Sequence, residues 1–248
     1  MENIKLKFEC INGIILLPVT INDIEGFVAF DTGAMHTCLN KKYFDNLGTN
    51  NVKISKFDEK VMQEDASRLI CNIKCFEWEL SDYQALLIDM SYVENPLNII
   101  KKDIRFLGTL GIDIISEHNI SFDYNNKYIM LDSQRPNGLT YFNIGKSALP
   151  VIDVFVNGYK CKLVLDTGAN TCLIDNKLQL KGIVMKNDKI GQIDKILALG
   201  NTYNDITCVL SNIDNIKSVI DVSGVIGYQI LSNHFCYIDF NEGVIGIK

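Results

Sequence analysis

Apolar and polar residues alternate along much of the chain, which is the pattern of β-strands that bury one face. Short β-rich runs such as "GFVAF", "QALLI", "KCKLVL" and "DITCVL" are bounded by turn sequences that include "YNNK" and "NEG". Helical spacing of apolar residues is brief, in "IDIISEHN" and "YQILSNHF". The pattern therefore predicts a mainly β protein in which each half of the chain carries one short helix.

One sequence pattern occurs twice in the chain. "DTGA" follows an apolar run at residues 31–34 and again at 166–169, and "LPV" precedes it both times, at 17–19 and 149–151. Downstream, "GTLGIDIISEHNISFDYNNKYIML" matches "GVIGYQILSNHFCYIDFNEGVIGI". A repeat of this length indicates a duplicated structural unit. We therefore predict two β-barrel lobes, residues 1–135 and 136–248, joined by the turn-rich "SQRPNGLTYF".

The two halves differ in length between corresponding glycines. Asp31 precedes Gly111 by 80 residues, whereas Asp166 precedes Gly227 by 61, so the first half carries 19 additional residues. The loop after the repeated aspartate differs as well, because "DTGAMHTCL" is one residue longer than "DTGANTCL". We expect two related lobes whose loops are not perfect mirror images.

Each repeated aspartate ends an apolar strand and precedes Thr-Gly, where the glycine allows a tight turn. A single such sequence is weak evidence for catalysis, since an Asx-type turn that hydrogen-bonds its own backbone explains it as readily. Two copies related by a pseudo-twofold axis can bring Asp31 and Asp166 face to face. Two adjacent carboxyls share one proton, so that one acts as a base and the other as an acid. We therefore predict a catalytic pair.

On these residues the sequence resembles the retropepsin-like aspartic proteases, in the bacterial-type form that fuses two protease units in one chain. The resemblance rests on the two DTGA boxes and on "TLG" and "VIG" with their following helices, and it extends from about Leu6 to Lys248. It implies two retropepsin-like β-barrel lobes related by a pseudo-twofold axis, catalysis by Asp31 and Asp166 without a cofactor, and a monomer. It also implies a peptide or protein substrate bound in extended form.

The same resemblance assigns supporting roles around the pair. The threonines would reach across to the backbone of the opposite lobe, the glycines would let the loops approach the pair, and the apolar residues before the later glycines would seal the loops from water. The loop-supporting residues are Thr32, Gly33, Ala34, Thr167, Gly168 and Ala169, and the loop-sealing residues are Leu110, Gly111, Ile226 and Gly227.

Retropepsin-like units cover the substrate with a glycine-rich hairpin, the flap, and this feature is altered here. No glycine occurs between Gly48 and Gly108, so in the first half "NVKISKFDEKVMQEDASRL" either serves as the flap or the flap is lost. In the second half "GIVMKNDKIG", residues 182–191, is the flap candidate, and a plain surface hairpin is the alternative.

Composition and charge narrow the set of partners. The chain has 248 residues, 47% of them hydrophobic, and its net charge is −6 without a dense Lys/Arg cluster. Nucleic acids and acidic membranes need a basic surface, so we expect neither as a partner. The first residues lack the features of an export signal. We therefore expect a cytoplasmic protein with eight cysteine thiols, active near neutral pH.

Other residues raise further possibilities. Cys71 and Cys75 lie four apart and could join a histidine at a metal site, but the absence of CxxC and HExxH pairs favours core thiols and no metal. The residues for which we expect structural roles are His118 and His234 (a hydrogen bond or helix-end charge), His36 (a loop residue that could touch substrate), Trp78 (packing or flap support), and Cys38 and Cys172 (core thiols).

Two functions from different classes follow from the sequence. The leading hypothesis is an aspartic endopeptidase in which a water held between Asp31 and Asp166 attacks the peptide bond. The alternative is a catalytically inactive peptide-binding or scaffold module that keeps the same fold. The altered flap region motivates this alternative, whereas the two complete DTGA boxes favour the enzyme.

Overall fold

The computed structural model describes residues 3–44, 67–145, 149–178 and 182–248. The strands of the first half are β1 (Ile4–Lys7), β2 (Glu9–Ile11), β3 (Ile14–Ile21), β4 (Ile24–Phe30), β5 (Cys38–Asn40), β6 (Ser67–Cys75), β7 (Trp78–Ile88), β8 (Phe106–Leu110), β9 (Ile120–Asp123) and β10 (Tyr128–Leu131). Those of the second half are β11 (Thr140–Asn143), β12 (Val151–Val156), β13 (Tyr159–Leu165), β14 (Cys172–Asp175), β15 (Ile183–Met185), β16 (Ile190–Ala198), β17 (Asn201–Ser211), β18 (Gly224–Ile226), β19 (Phe235–Asp239) and β20 (Val244–Ile247).

Helices are short and lie between strands. They are α1 (Lys41–Phe44), α2 (Ser91–Ile100), α3 (Ile112–Ile115), α4 (Asp214–Lys217), α5 (Tyr228–Leu231) and a 3-10 helix (Asn176–Leu178). The short helix that the sequence predicts in each half is present as α3 and α5. Among the residues that the structure describes, no helix is both long enough and apolar enough to cross a lipid bilayer.

Each half closes into a six-stranded barrel. In the first lobe the strand order is β3-β4-β8-β5-β7-β6, and an additional pairing of β3 with β6 closes the ring. In the second lobe the order is β12-β13-β18-β14-β17-β16, closed by β12 with β16. The two orders correspond strand by strand, as a pseudo-twofold axis between duplicated units requires. The predicted fold class, mainly β with two barrel lobes, is confirmed.

A third sheet joins the lobes, with strand order β1-β10-β9-β19-β20-β11. Its centre is the antiparallel pair β9 and β19, in which Phe122 lies opposite Cys236. Each half contributes three of its strands, and the fully buried side chains of Phe122 and Cys236 continue the hydrophobic core between the barrels. The lobes are therefore held as one unit by both backbone pairing and apolar burial.

The additional residues of the first half lie between barrel strands, and most of them lie between β5 and β6, where 26 residues separate the strands against 14 between β14 and β16. The β6–β7 and β16–β17 hairpins have the same length, Ser67–Ile88 and Ile190–Ser211. By contrast, the connection from β7 to β8 contains the 10-residue helix α2, where the second lobe has the 4-residue helix α4. The barrel strands of the two lobes thus correspond, whereas the segments that connect the strands within each lobe differ.

The alternation of apolar and polar residues in the sequence corresponds to the inner and outer faces of the barrels. In β6 every second side chain from Leu69 to Cys75 is buried, and the five residues of β8 are all buried because this strand lies in the middle of its sheet. The eight cysteines are thiols, and seven of them are buried, including Cys38 and Cys172, as predicted. Trp78 is buried at the start of β7.

Candidate active site

Asp31 and Asp166 each follow directly after a buried strand. β4 ends at Phe30 and β13 ends at Leu165, so both aspartates stand where a rigid strand gives way to a turn. The Asp31 N–H donates to the Leu110 carbonyl at 3.1 Å, and the Asp166 N–H donates to the Ile226 carbonyl at 2.9 Å. The start of each loop is therefore fixed to the neighbouring central strand of its own lobe.

The two loops meet so closely that each glycine contacts the carboxyl of the other loop. A Cβ atom added to Gly33 would lie 2.3 Å from the Asp166 carboxyl carbon, and one added to Gly168 would lie 2.3 Å from that of Asp31. No side chain fits in either place, so glycine is needed for this approach. A hydrogen bond between the two carboxyl groups contributes to their pKa shifts, and such a bond needs one of the two groups to be protonated.

Backbone amides orient both carboxyl groups. Asp31 Oδ1 accepts hydrogen bonds from the N–H groups of Gly33 at 2.9 Å and Ala34 at 3.0 Å. Asp166 Oδ1 accepts one from the Gly168 N–H at 2.7 Å. Each aspartate thus forms the Asx-type turn that its sequence allows, and these bonds fix the orientation of its carboxyl group.

Burial raises the pKa of both carboxyl groups. For Asp31 the raising by burial exceeds the lowering by hydrogen bonds from Asp166 and the loop amides. The pKa of Asp166 is raised well above its usual range by burial, and further by the nearby charge and hydrogen bond of Asp31. Because ionising both groups would place two negative charges side by side, the pair retains one proton to higher pH than isolated aspartates do.

Two fully buried threonines connect the loops across the lobe boundary. The Thr32 N–H donates to Thr167 Oγ1 at 3.1 Å, and the Thr167 N–H donates to Thr32 Oγ1 at 3.1 Å. The Thr32 hydroxyl donates to the Leu165 carbonyl at 2.7 Å, and the Thr167 hydroxyl donates to the Phe30 carbonyl at 2.5 Å. These four reciprocal bonds fix the distance between the loops.

The later glycines of each repeat pack beneath the loops. The N–H groups that follow them, those of Ile112 and Tyr228, each donate at 2.8 Å, to the carbonyls of Ala34 and Ala169 respectively. A Cβ on Gly111 would lie 2.5 Å from the His36 carbonyl carbon, and one on Gly227 would lie 2.2 Å from the Ala169 carbonyl oxygen. The residues just before them, Leu110 and Ile226, are buried.

The loops differ in the side chain that braces them from the short helix. In the first lobe the Asp113 carboxylate accepts hydrogen bonds from the Thr37 N–H and hydroxyl, both at 2.8 Å, and from the Tyr83 hydroxyl at 2.6 Å. His36, in the longer loop, lies 3.8 Å from the same carboxylate. In the second lobe Gln229 Oε1 takes this place and accepts from the Thr171 hydroxyl at 3.0 Å.

A cleft of about 650 Å³ opens over the loops. It is lined by loop residues and by residues from both lobes: Gly33, Ala34, Met35, His36, Cys38, Ile88, Asp89, Ser91, Tyr92, Leu149, Val164, Asp166, Ile216, Val219, Ile220 and Val225. The lining residues that follow β7 and β17 were not predicted from the sequence. Their position in the repeat could have identified them, because in both halves these segments lie between the last long strand and the glycine-containing strand of the repeat.

The two flap candidates have different outcomes. Most of the first, residues 51–66, lies outside the described residues. The second forms a hairpin, since β15 pairs with β16 and Met185 lies opposite Gly191. None of its described residues lines the cleft. This arrangement matches the surface hairpin that the sequence left open as the alternative.

The remaining candidates have structural partners. His118 Nδ1 lies 2.9 Å from Asp132 Oδ1, and His234 Nε2 is hydrogen bonded to the Tyr203 hydroxyl. Burial lowers the pKa of His234. Cys75 lies on β6 in the core, where burial raises the pKa of its thiol to about 12. Within the described ranges, no group of three or more His, Cys, Asp or Glu side chains could hold a metal ion.

Comparison with known proteins extends this description. No protein-family model matches the chain, and no curated protein sequence matches it. Among solved structures, an aspartic proteinase from Irpex lacteus is similar, with a TM-score of 0.59 over 99% of this chain and 97% of that chain, at 10% sequence identity. The chain therefore has the two-barrel fold of that aspartic proteinase.

Proposed function

We propose that the protein is an aspartic endopeptidase that hydrolyses peptide bonds with Asp31 and Asp166. The observation that carries the proposal is the reciprocal packing of the two carboxyls, each against the glycine of the opposite loop. A paired, partly buried carboxyl system with one proton supplies a base and an acid at the same place. The likeness in fold to an aspartic proteinase agrees with this chemistry.

In the proposed reaction the ionised carboxylate takes a proton from a water molecule as its oxygen attacks the carbonyl carbon of the substrate. The protonated carboxyl donates a hydrogen bond to the carbonyl oxygen, which gains negative charge as the tetrahedral intermediate forms. Proton transfer to the amide nitrogen then allows the C–N bond to break. The raised pKa values of the pair keep the single proton available toward neutral pH.

The surrounding residues support this chemistry by rigidity. Thr32 and Thr167 hold the loops at a fixed separation through buried hydrogen bonds. Gly33 and Gly168 permit contact between the carboxyls, and Leu110 and Ile226 exclude water from beneath them. The fixed geometry of the loops and the exclusion of water from beneath them preserve the electrostatic coupling between the two carboxyl groups. No metal or other cofactor enters the proposed reaction.

We also propose that one chain suffices, since both aspartates come from a single chain whose lobes divide near residues 135 and 136. The substrate would bind in extended form along the cleft, with main-chain hydrogen bonds to strand edges. Consistent with the expected cytoplasmic location, we propose activity near neutral pH on a protein or peptide substrate.

The test is cleavage of a diverse peptide library by the purified protein between pH 3 and 8, read by mass spectrometry. We expect cleavage that is lost in both Asp31→Asn and Asp166→Asn. Circular dichroism of each variant checks that the fold is retained. Cleavage that persists in both variants would contradict the proposal, and well-folded wild-type protein that binds peptides without cleaving any would favour the peptide-binding module instead.

A further inference from the structure

The cleft over the carboxyl pair has two chemically different walls. In the first lobe, the last residue of β7 and the connection from β7 to β8 provide the polar wall, which consists of Ile88, Asp89, Ser91 and Tyr92. In the second lobe, the connection between β17 and β18 provides the aliphatic wall, which consists of Ile216, Val219 and Ile220. One wall thus offers a carboxylate, a hydroxyl and a phenol, whereas the other offers only hydrocarbon.

The walls stand on opposite sides of the candidate catalytic pair. β7 and β17 occupy equivalent places in the two strand orders, so the segments that follow them are related by the pseudo-twofold axis. That axis passes between Asp31 and Asp166, because their loops exchange reciprocal hydrogen bonds. An extended peptide that lies across the pair therefore meets the polar wall on one side of the scissile bond and the aliphatic wall on the other.

Asp89 is an ionised group on the polar wall. It is exposed, and its carboxylate accepts hydrogen bonds from the Ser91 N–H at 2.8 Å and the Ser91 hydroxyl at 3.2 Å. These bonds lower the pKa of Asp89, and the charge of Lys41 lowers it further. Pairing between exposed charges is weak, so the ammonium group of a substrate can compete with Lys41 for this carboxylate.

The rest of the cleft carries little positive charge to oppose a cation. Of the lining residues in the described part of the chain, none is a lysine or an arginine. His36 lines the cleft, and its ring nitrogen lies 3.8 Å from the Asp113 carboxylate, which offsets a charge on the imidazole. The catalytic pair itself contributes negative charge when one member is ionised.

We propose that the cleft selects peptides with a lysine or arginine on one side of the scissile bond, facing Asp89, and an aliphatic residue on the other side, packed against Ile216, Val219 and Ile220. This specificity rests on the proposed endopeptidase function. Its physical basis is that a cation gains from an ionised carboxylate in a cleft that has no lysine or arginine among its described lining residues, whereas an aliphatic side chain gains by leaving water.

The first experiment measures kcat/KM for peptides with leucine fixed on one side of the scissile bond and lysine, glutamine or glutamate on the other, in both orders. We expect lysine to exceed glutamine by about 5-fold, the upper range for an exposed ion pair, with glutamate lowest. Asp89→Asn should remove the lysine preference, and Asp89→Lys should reverse it. Glu77→Gln, a matched loss of charge at the residue just before β7 and remote in sequence from Asp89, should keep it.

A second variant tests the aliphatic wall separately. Val219→Ala should reduce the preference for leucine over alanine by about 10-fold at the substrate position that packs against the aliphatic wall. Contacts with individual methyl groups discriminate substrates by roughly this factor. The lysine-to-glutamine ratio should stay unchanged in this variant. A Val219→Ala enzyme that loses the lysine preference instead would overturn the assignment of separate walls.

Binding measurements separate this inference from the function on which it rests. The affinity of the same peptides for Asp166→Asn protein is measured by fluorescence anisotropy, with and without Asp89→Asn. An Asp89-dependent preference for lysine in binding, with no cleavage by the wild type, would sustain the specificity and reject the endopeptidase. Cleavage that depends on Asp31 but treats lysine and glutamine alike would reject the specificity and sustain the endopeptidase.

Discussion

The two loops that carry the aspartates reach the same geometry with different supports. Thr32 and Thr167 make the same pair of bonds in opposite directions, and their donor–acceptor distances agree within 0.2 Å. The bracing side chains are not equivalent, because a carboxylate, Asp113, serves one loop and an amide, Gln229, serves the other. Contacts shared across the pseudo-twofold axis must satisfy both lobes at once, whereas contacts within one lobe are free to diverge.

The longer first loop explains part of this divergence. His36 belongs to the segment that is one residue longer, and it lies beside Asp113, for which the second lobe has an uncharged counterpart. The Tyr83 hydroxyl donates to Asp113 as well, and burial together with this bond raises the pKa of Tyr83. The first lobe thus holds a polar network under its loop that the second lobe replaces with fewer bonds.

The sharpest test of equivalence is substitution of each aspartate in turn. Asp31→Asn and Asp166→Asn should each lower kcat by about 10²–10⁴-fold, since a paired acid and base fails when either member is lost. The measurement is peptide hydrolysis under single-turnover conditions. If one variant keeps near wild-type activity, the two carboxyls do not act as a pair.

The next largest effect concerns the threonines that cross the lobe boundary. Thr32→Val removes a buried hydroxyl and leaves the Leu165 carbonyl and the Thr167 N–H without their partner. Thr167→Val likewise leaves the Phe30 carbonyl and the Thr32 N–H without their partner. We expect each to lower the free energy of unfolding by about 2–4 kcal/mol, measured by urea denaturation. A clear inequality between the two would show that the lobes do not share this contact evenly.

A smaller and unequal effect is expected at the bracing side chains. Asp113→Ala leaves the Tyr83 hydroxyl and the Thr37 N–H without their hydrogen-bond acceptor, so the free energy of unfolding should fall by about 2 kcal/mol. Gln229→Ala removes fewer bonds and should cost about 1 kcal/mol. Equal losses in thermal denaturation would contradict the view that the first loop is the more heavily braced.

The smallest expected effect is a pH-dependent gain in stability. Because folding raises the pKa of the paired carboxyls, the native state binds a proton more tightly than the unfolded chain does. Stability from this source is present below about pH 4 and is lost as the pH rises through the raised pKa values. The Asp166→Asn substitution removes a carboxyl group whose ionisation at high pH lowers the stability of the folded protein.

The variant should therefore be more stable than the wild type at pH 8, and this gain should be smaller at pH 4. Urea denaturation at both pH values measures the difference. As a control, Asp205→Asn changes an exposed aspartate on β17 and should show no such trend. A gain that is larger at pH 4 than at pH 8 would contradict a raised pKa.

Much of the fold followed from local pattern. Alternating residues in β6 face the core and solvent in turn, and the glycines at 111 and 227 directly precede the predicted short helices. The helix α2 was not predicted, because its sequence "SYVENPLNII" contains a proline and its stability comes from packing Leu97 against the barrel. Local propensity is a weak guide where tertiary burial supplies the stabilisation.

The candidate site was predictable only in part, for the same reason. The repeat identified Asp31, Asp166 and their loops, since duplication of a motif is visible in one dimension. Asp113 and the cleft residues Asp89 and Ile216 carry no local signal, because they approach the loops from segments more than 40 positions away along the chain. Their place depends on which strands close each barrel.

The sequence by itself determined the mainly β character, the duplication and the identity of the paired aspartates, because periodicity and repetition are properties of residue order. Only the tertiary structure decided that each carboxyl packs against the opposite glycine, that the braces differ, and that the cleft has one polar and one aliphatic wall. These features depend on distances between segments remote in sequence, which are set by barrel closure and by packing of one lobe against the other.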